Sequence, residues 1–433
     1  MIKGLKLWRS AKKIIPGGNG LLSKRPDRYL PGLWPTYYSR SKNINVWDLE
    51  NNKYLDMAQM GMGASILGYA HPYVDKKVKK AIDNGINSTL NCREEYDLAK
   101  KILKFDKFAD QVKFAKGGGE AMSLAVRIAR ARTGKDNIAF SGYHGWHDWY
   151  LAANLKNKNS LKNHLLPGLE PLGVPKLLKG TTIGFEYNNL EQLKKINKKN
   201  LAAIVIEGCR YYYPTKKFIK QIQKICKKYK ICLIVDEITS GWRSSRGGVY
   251  KKLNIKPDLV VYGKGLGNGY PISCIVGKKK YMQVTNKSFV SSTAWTERTG
   301  FVAANATIDY FVKKNVNQHI NKIGLFIKNN WLKLARKHKL NLRVSEVTPL
   351  CTFFLDYKNS DELYTLFTKE MLKKKIIASN SIYISYSHKK KDVIKYLKYC
   401  DEIFFKISDF IKKKKKLKKS EIKFSGFTRL TKS

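Results

Sequence analysis

Several features are missing from this 433-residue chain, and each absence narrows the reading. No uninterrupted apolar run approaches the roughly 18 residues that a membrane-spanning helix needs, so no membrane partner is expected. The 7 cysteines (Cys92, Cys209, Cys226, Cys232, Cys274, Cys351 and Cys400) are odd in number and show no C-x-x-C spacing. Several lie inside apolar runs, where Cys behaves as a small hydrophobe. A reducing cytoplasm fits. The first residues, Met1 to Pro16, include basic side chains but no apolar stretch followed by a small-residue cleavage site, so secretion is not indicated.

Acidic residues are also scarce: 33 Asp+Glu stand against 84 Lys+Arg, a formal net charge of +51. The excess is mostly Lys and runs the whole length of the chain, whereas bidentate recognition of phosphate or bases favours Arg concentrated in a stripe. That pattern reads as a solvated surface before it reads as a nucleic-acid footprint. The densest run, Lys412 to Lys416 with Lys418 and Lys419, is expected on an exposed face of a C-terminal helix.

What is present points to a folded protein. Hydrophobic residues make up 43% and aromatics 12%, too much for a disordered basic tail. A chain of this length suggests two or three domains and buries about three quarters of its unfolded surface.

Between about residues 110 and 280, short apolar runs alternate with helical patterns, as in a largely parallel sheet covered on both faces. Strands are expected at Val112–Ala115, Ile138–Ser141, Ala203–Glu207, Cys232–Asp236, Leu259–Tyr262 and Ser273–Val276. Phe218, Ile219, Ile222, Ile225 and Cys226 fall at helical spacing and mark a crossover helix. After Gly300 the pattern changes to a long helix, a strand near Thr352–Leu355 and amphipathic helices ending near Ile411. The chain closes on Gly426-Phe427-Thr428-Arg429-Leu430, too apolar for a simple frayed tail.

Three strand ends carry candidate chemistry. The first runs into Lys116-Gly117-Gly118-Gly119-Glu120-Ala121, where glycines between a strand and a helix let backbone N–H groups converge on an anion such as phosphate. Neither G-x-G-x-x-G nor a Walker A motif is present, so a dinucleotide or a nucleoside triphosphate is not the natural ligand. Glycines at such a turn also occur for steric reasons alone. At the second, Asp236 and Glu237 end an apolar strand, and because adjacent strand residues point to opposite faces, only one of them faces a given ligand. A magnesium-binding strand end is the competing reading. At the third, Gly263-Lys264-Gly265 holds a lysine between glycines, which suits a desolvated Schiff-base amine. The argument lies in the combination of the three.

Motifs in matching order run from Ile15-Pro16-Gly17-Gly18 through Trp47-Asp48, Leu67-Gly68-Tyr69-Ala70-His71-Pro72, Gly119-Glu120-Ala121, Tyr143-His144-Gly145 and Gly173-Val174-Pro175. They continue through Asp236-Glu237-Ile238, Pro257-Asp258-Leu259 and Gly263-Lys264 to Ser292-Thr293. On these residues the chain resembles the class III aminotransferase family of pyridoxal-phosphate enzymes, with a pattern nearest to glutamate-1-semialdehyde 2,1-aminomutase and its aminotransferase relatives.

The resemblance implies an α/β protein with the aspartate-aminotransferase-like (type I) fold, a mostly parallel sheet between helices plus a smaller α+β domain. Residues 1–65 would contribute to the small domain and cover the site, 66–310 would form the cofactor domain, and 311–433 the C-terminal small domain. It implies pyridoxal 5'-phosphate as cofactor and a small-molecule amino donor with an oxo or aldehyde acceptor as partners. Intramolecular transfer by an aminomutase is the alternative, and a non-catalytic basic protein for nucleic acid or anionic surfaces is the rival from another class.

Carried over position by position, Lys264 would hold the cofactor and shuttle a proton, and Asp236 would pair with the pyridine nitrogen. Tyr143 would stack on one ring face and Ile238 would pack on the other. Gly118 and Gly119 would donate backbone N–H groups to the phosphate, and Thr293 would reach the phosphate of the neighbouring subunit, which implies a homodimer with shared sites. Arg25 or Arg28 would take a substrate carboxylate; the spacing does not choose between them. Glu207 would line the site or pair with an arginine such as Arg210. Two departures stand out. Gly117 replaces the usual hydroxyl residue before the cup, and Thr239 stands where many relatives carry Gln or Met, its hydroxyl within reach of the cofactor's phenolic oxygen. His144, His147 and Asp148 are explained by the Tyr143 motif better than by a metal, and no metal is expected.

Overall fold

The computed structural model describes residues 3–425, so the apolar closing segment from Gly426 lies outside the described residues. Two compact units emerge: one combines the described parts of Met1–His71 with Gln318–Ser425, and the other is Pro72–Asn317. Among the described residues no helix is long and apolar enough to cross a membrane.

The second unit is built on a seven-stranded sheet. Its strands in chain order are β1 (Gln111–Ala115), β2 (Asn137–Ser141), β3 (Thr182–Gly184), β4 (Leu201–Glu207), β5 (Cys232–Asp236), β6 (Leu259–Tyr262) and β7 (Ser273–Gly277). Spatially they run β1-β7-β6-β5-β4-β2-β3. All neighbours pair in parallel except β7, which is antiparallel to both β1 and β6. Every residue of β4, β5 and β6 is buried, which is why these strands read as unbroken apolar runs and not as an alternation. Six strands fall where the sequence places them. The edge strand β3, three residues long, is too short to leave a pattern.

Two helices frame the sheet around the strand ends of interest. Helix α1 (Gly118–Thr133) leaves β1 through the glycine turn, buries Leu124, Ala125, Ile128 and Ala129, and stops at Gly134 in the left-handed region (φ 65°). Helix α2 (Lys216–Tyr229) is the expected crossover: Thr215 Oγ1 accepts the Phe218 N–H at 3.2 Å, and the apolar stripe from Phe218 to Cys226 is buried.

The first unit has a four-stranded sheet of Tyr38–Lys42, Asn45–Asp48, Lys53–Met57 and Ile376–Ala378, and a three-stranded one of Leu342–Val344, Leu350–Leu355 and Ser381–Tyr383. The long helix expected after Gly300 is two helices, Arg298–Lys313 and Val316–Lys337, separated at Asn315 with φ 48°. The lysine run is also corrected. The last helix, Lys390–Lys412, ends as the run begins, because like charges three and four residues apart repel on a helix surface.

Candidate active site

Parallel strands deliver their C-terminal ends to one edge of the sheet, and that edge collects Ala115, Glu207, Asp236 and Tyr262 with the turns after them. Lys264 follows β6 after Gly263 and takes φ 43°, a left-handed conformation that costs a non-glycine residue free energy. Its Nζ donates to Thr239 Oγ1 at 2.8 Å. Burial, with the Arg210 and Arg243 guanidiniums nearby, pushes its pKa down to about 7.

Asp236 ends β5 and is buried. Its Oδ2 accepts from His144 Nδ1 at 2.8 Å, and its Oδ1 accepts the Ile238 N–H at 2.9 Å. Glu237 points the other way, as strand alternation requires: Oε1 accepts the Tyr250 N–H at 2.8 Å and Oε2 accepts from Ser240 Oγ at 2.5 Å. Burial pushes its carboxyl up to about 7.

Glu207, at the end of β4, is paired with Arg210, whose Nε reaches the two carboxylate oxygens at 3.0 and 3.1 Å and whose Nη2 also donates to Oε1. Burial alone would raise the Glu207 carboxyl, but Arg210, together with His144 and the Tyr143 N–H, holds the group below its usual value. Glu207 Oε2 also accepts the Tyr143 N–H at 3.2 Å, which ties the aromatic segment to this strand end. Arg210 Nη2 lies 3.4 Å from Thr239 Oγ1.

The glycine turn has a steric reason as well as an electrostatic one. A Cβ on Gly118 would stand 3.0 Å from Ile238 Cδ1, and one on Gly119 would stand 2.9 Å from His147 Nδ1. Glu120 Oε2 accepts the N–H groups of Lys116 and Gly117 at 3.1 Å each. The donors of Gly118 and Gly119, in the first turn of α1, have no partner within the helix. Beside them, His147 Nδ1 is buried without a hydrogen-bond partner among the described residues.

The structure therefore brings Gly118, Gly119, Tyr143, Glu207, Asp236, Ile238 and Lys264 to one edge of one unit. Thr293 opens the one-turn helix Thr293–Thr296, is exposed, and makes no side-chain hydrogen bond to any of them in this chain. Arg25 and Arg28 belong to the other unit, where Arg25 Nη2 donates to Asp27 at 2.9 Å.

Sequence reasoning does not separate out two residues of this site. His144 is subsumed in the Tyr143 motif, although a buried carboxylate at Asp236 calls for such a partner. Arg243, also buried, donates from Nε to the Thr239 carbonyl at 2.7 Å and leaves no sequence signal.

A desolvated lysine, a buried carboxylate on the same sheet edge and a glycine-lined helix start define a fold and site of the transaminase type. The sequence pattern of the family described as Aminotransferase class-III matches residues 31–377, and the chain belongs to that family. Among named relatives, the 3-aminobutyryl-CoA aminotransferase of Cloacimonas acidaminovorans is 33% identical over 73% of this chain and 74% of its own. The glutamate-1-semialdehyde 2,1-aminomutase of Wigglesworthia glossinidia brevipalpis is 29% identical over 92% of this chain and 97% of its own. Solved structures share the fold. The FumI protein of Sphingopyxis sp. MTA144, in its PLP internal aldimine form, superposes with a TM-score of 0.84 at 22% identity, covering 95% of this chain and 97% of that one. An omega-transaminase from Sphaerobacter thermophilus gives 0.83 at 20% identity, covering 94% and 98%.

Proposed function

We propose that this chain is a pyridoxal-phosphate aminotransferase that moves an amino group between a small amino donor and an oxo or aldehyde acceptor. One observation carries the reading: Lys264, half-buried and bonded through Nζ to Thr239 Oγ1, is deprived of much of its proton affinity and set on the same sheet edge as the Asp236–His144 pair. The residues fit the cofactor. Gly118 and Gly119 N–H groups with the unpartnered His147 Nδ1 suit its phosphate, Asp236 its ring nitrogen, and Tyr143 and Ile238 its two faces.

When bound, pyridoxal phosphate supplies a ring that takes up electrons from the substrate carbon. Every other task belongs to the protein. Lys264 Nζ, neutral in a large fraction at pH 7, acts as the nucleophilic amine and then carries a proton to and from the reacting carbon. Asp236, whose oxygens accept from His144 and the Ile238 N–H, is held in place to face a ring nitrogen and keep a proton on it. Arg210 and Glu207 neutralise each other at the site's edge.

The homodimer belongs to the same proposal. Thr293 is exposed in the single chain, as are Phe289 (87%), Leu90 (80%) and Trp146 (70%), large side chains that a second copy would cover. Arg25 or Arg28 as the carboxylate ligand, a cytoplasmic setting and the domain boundaries inferred from the sequence stand as parts of this reading too. Seven free cysteines, six of them buried, support the reducing compartment.

Aminomutase activity is the second reading, supported by the aminomutase relatives that align over more than nine tenths of this chain. Two experiments test the proposal. Borohydride reduction followed by peptide mapping should place the cofactor on Lys264, and Lys264→Ala should abolish turnover; a label elsewhere overturns the assignment. Glutamate-1-semialdehyde supplied alone should give no product with an aminotransferase, while product without added donor identifies the mutase.

A further inference from the structure

On the opposite edge of the same sheet, where β5 and β6 begin and β7 ends, a recess of about 1070 Å³ opens between the C-terminal ends of α1 and α2. Its lining holds nine cationic side chains and a single carboxylate, Asp258. That ratio exceeds the chain's own excess, 84 Lys+Arg to 33 Asp+Glu. A second recess of about 1140 Å³, lined by Pro72–Asp83, Arg93–Phe105 and Arg298–Lys313, has seven cations to three carboxylates and so follows the background. Compositional drift accounts for the second recess and not for the first.

Few of these charges are answered within the protein. Asp258 Oδ1 pairs with Lys278 at 2.7 Å, and Lys135 donates to the Tyr229 carbonyl at 3.0 Å. Among the described residues, Lys224, Lys227, Lys230, Lys256 and Lys280 have no carboxylate within ion-pair distance, and all five are exposed. The two helix C-termini add roughly half a negative charge each. About seven positive charges are left over in one concavity.

Like charges gathered around one recess repel, an arrangement that a bound anion relieves. The required anion has a high charge in a small volume. Phosphates linked in a short chain meet that demand, and lysine ammoniums serve them as point charges. A membrane surface does not fit a recess, and the cations form a cluster, not the stripe that tracks a nucleic-acid backbone.

We propose that this recess is a binding site for a compact polyphosphate, a ligand class unrelated to the chemistry at Lys264 and held at the other end of the strands. The site is defined by Lys224 and Lys227 on α2, Lys230 just after it, and Lys256, Lys278 and Lys280 from the strand connections.

Calorimetric titration of the purified full chain with inorganic tripolyphosphate tests the proposal. Saturable binding near one per chain is expected, weakened by at least about tenfold in the combined variant Lys224→Gln/Lys256→Gln/Lys280→Gln. A control variant, Lys80→Gln/Lys100→Gln/Lys104→Gln, removes the same charge from the second recess and should bind within about twofold of the parent. Equal losses in both variants would show that net charge alone attracts the anion and would overturn the site. So would non-saturating binding, or a single-stranded RNA that binds through these lysines while tripolyphosphate does not. Circular dichroism of both variants should match the parent, since all six side chains reach solvent; if the first variant is misfolded, the single change Lys256→Gln, expected to weaken binding by about threefold, decides in its place.

Discussion

Lys264 Nζ and Thr239 Oγ1 stand 2.8 Å apart, and the same hydroxyl oxygen lies 3.4 Å from Arg210 Nη2. Thr239 thus joins two cations that electrostatics would keep apart. Arg210 cannot lose its charge, so its field falls on the lysine, which gives up its proton more readily.

Replacing Arg210 by Gln should reverse that effect. The variant loses the guanidinium whose charge lowers the lysine's proton affinity, and that loss favours the protonated lysine. The acid limb of the pH–rate profile should move upward by about 1 pK unit. An unmoved limb would show that Arg210 acts only as a structural partner of Glu207.

The His144→Phe variant should weaken the cofactor's hold. It removes the donor 2.8 Å from Asp236 Oδ2 and leaves a buried carboxylate short of a partner. Loss of a charge-assisted hydrogen bond of about 1.5–3 kcal/mol corresponds to a ten- to hundredfold rise in the cofactor's dissociation constant, measurable by equilibrium dialysis. Circular dichroism should be unchanged.

Lys264 also makes the stability of the cofactor-free protein depend on pH. Its folded pKa of about 7 lies below the ordinary 10.5, so between these values the unfolded chain binds the extra proton. Stability contributed by this group therefore rises from about pH 7 to about pH 10.5, and its cost is fully felt below pH 7. A Lys264→Met protein should lack this slope, which denaturant titration at pH 6.5 and 9.5 measures. Identical slopes in the two proteins would refute it.

Glu237 acts in the opposite sense. Its folded pKa, pushed up to about 7 from 4.5, means that the folded chain holds the extra proton between those values. Its contribution is fully present below about pH 4.5 and is lost as pH rises through 7. Glu237→Gln keeps an acceptor for the Tyr250 N–H and cannot ionise. Relative to the parent it should be more stable at pH 8 than at pH 5, as melting temperatures at the two values would show.

Much of this protein is legible in its amino acids. Strands buried on both faces must be apolar throughout, so β4, β5 and β6 announce themselves, and α2 shows its face through the spacing of Phe218, Ile222 and Cys226. The order of Gly118, Asp236 and Lys264 along the chain points to the sheet edge, because strand ends follow from strand boundaries. The alternation of Asp236 and Glu237 settles that only one of the two carboxylates can face His144.

Other features depend on distance in space and leave no periodic trace. His144 meets Asp236 across 92 positions, Lys116 meets Glu297 across 181, and neither pairing has a local pattern. The end of the last helix at Lys412 reflects mutual repulsion among its neighbours, and β3 exists only because β2 offers it an edge. The concentration of lysines around Asp258 is of the same kind. Composition determined that the chain is basic, but only the folding of α1, α2 and three strand connections decided where those charges converge, since residues from 132 to 281 meet there only after the sheet has formed.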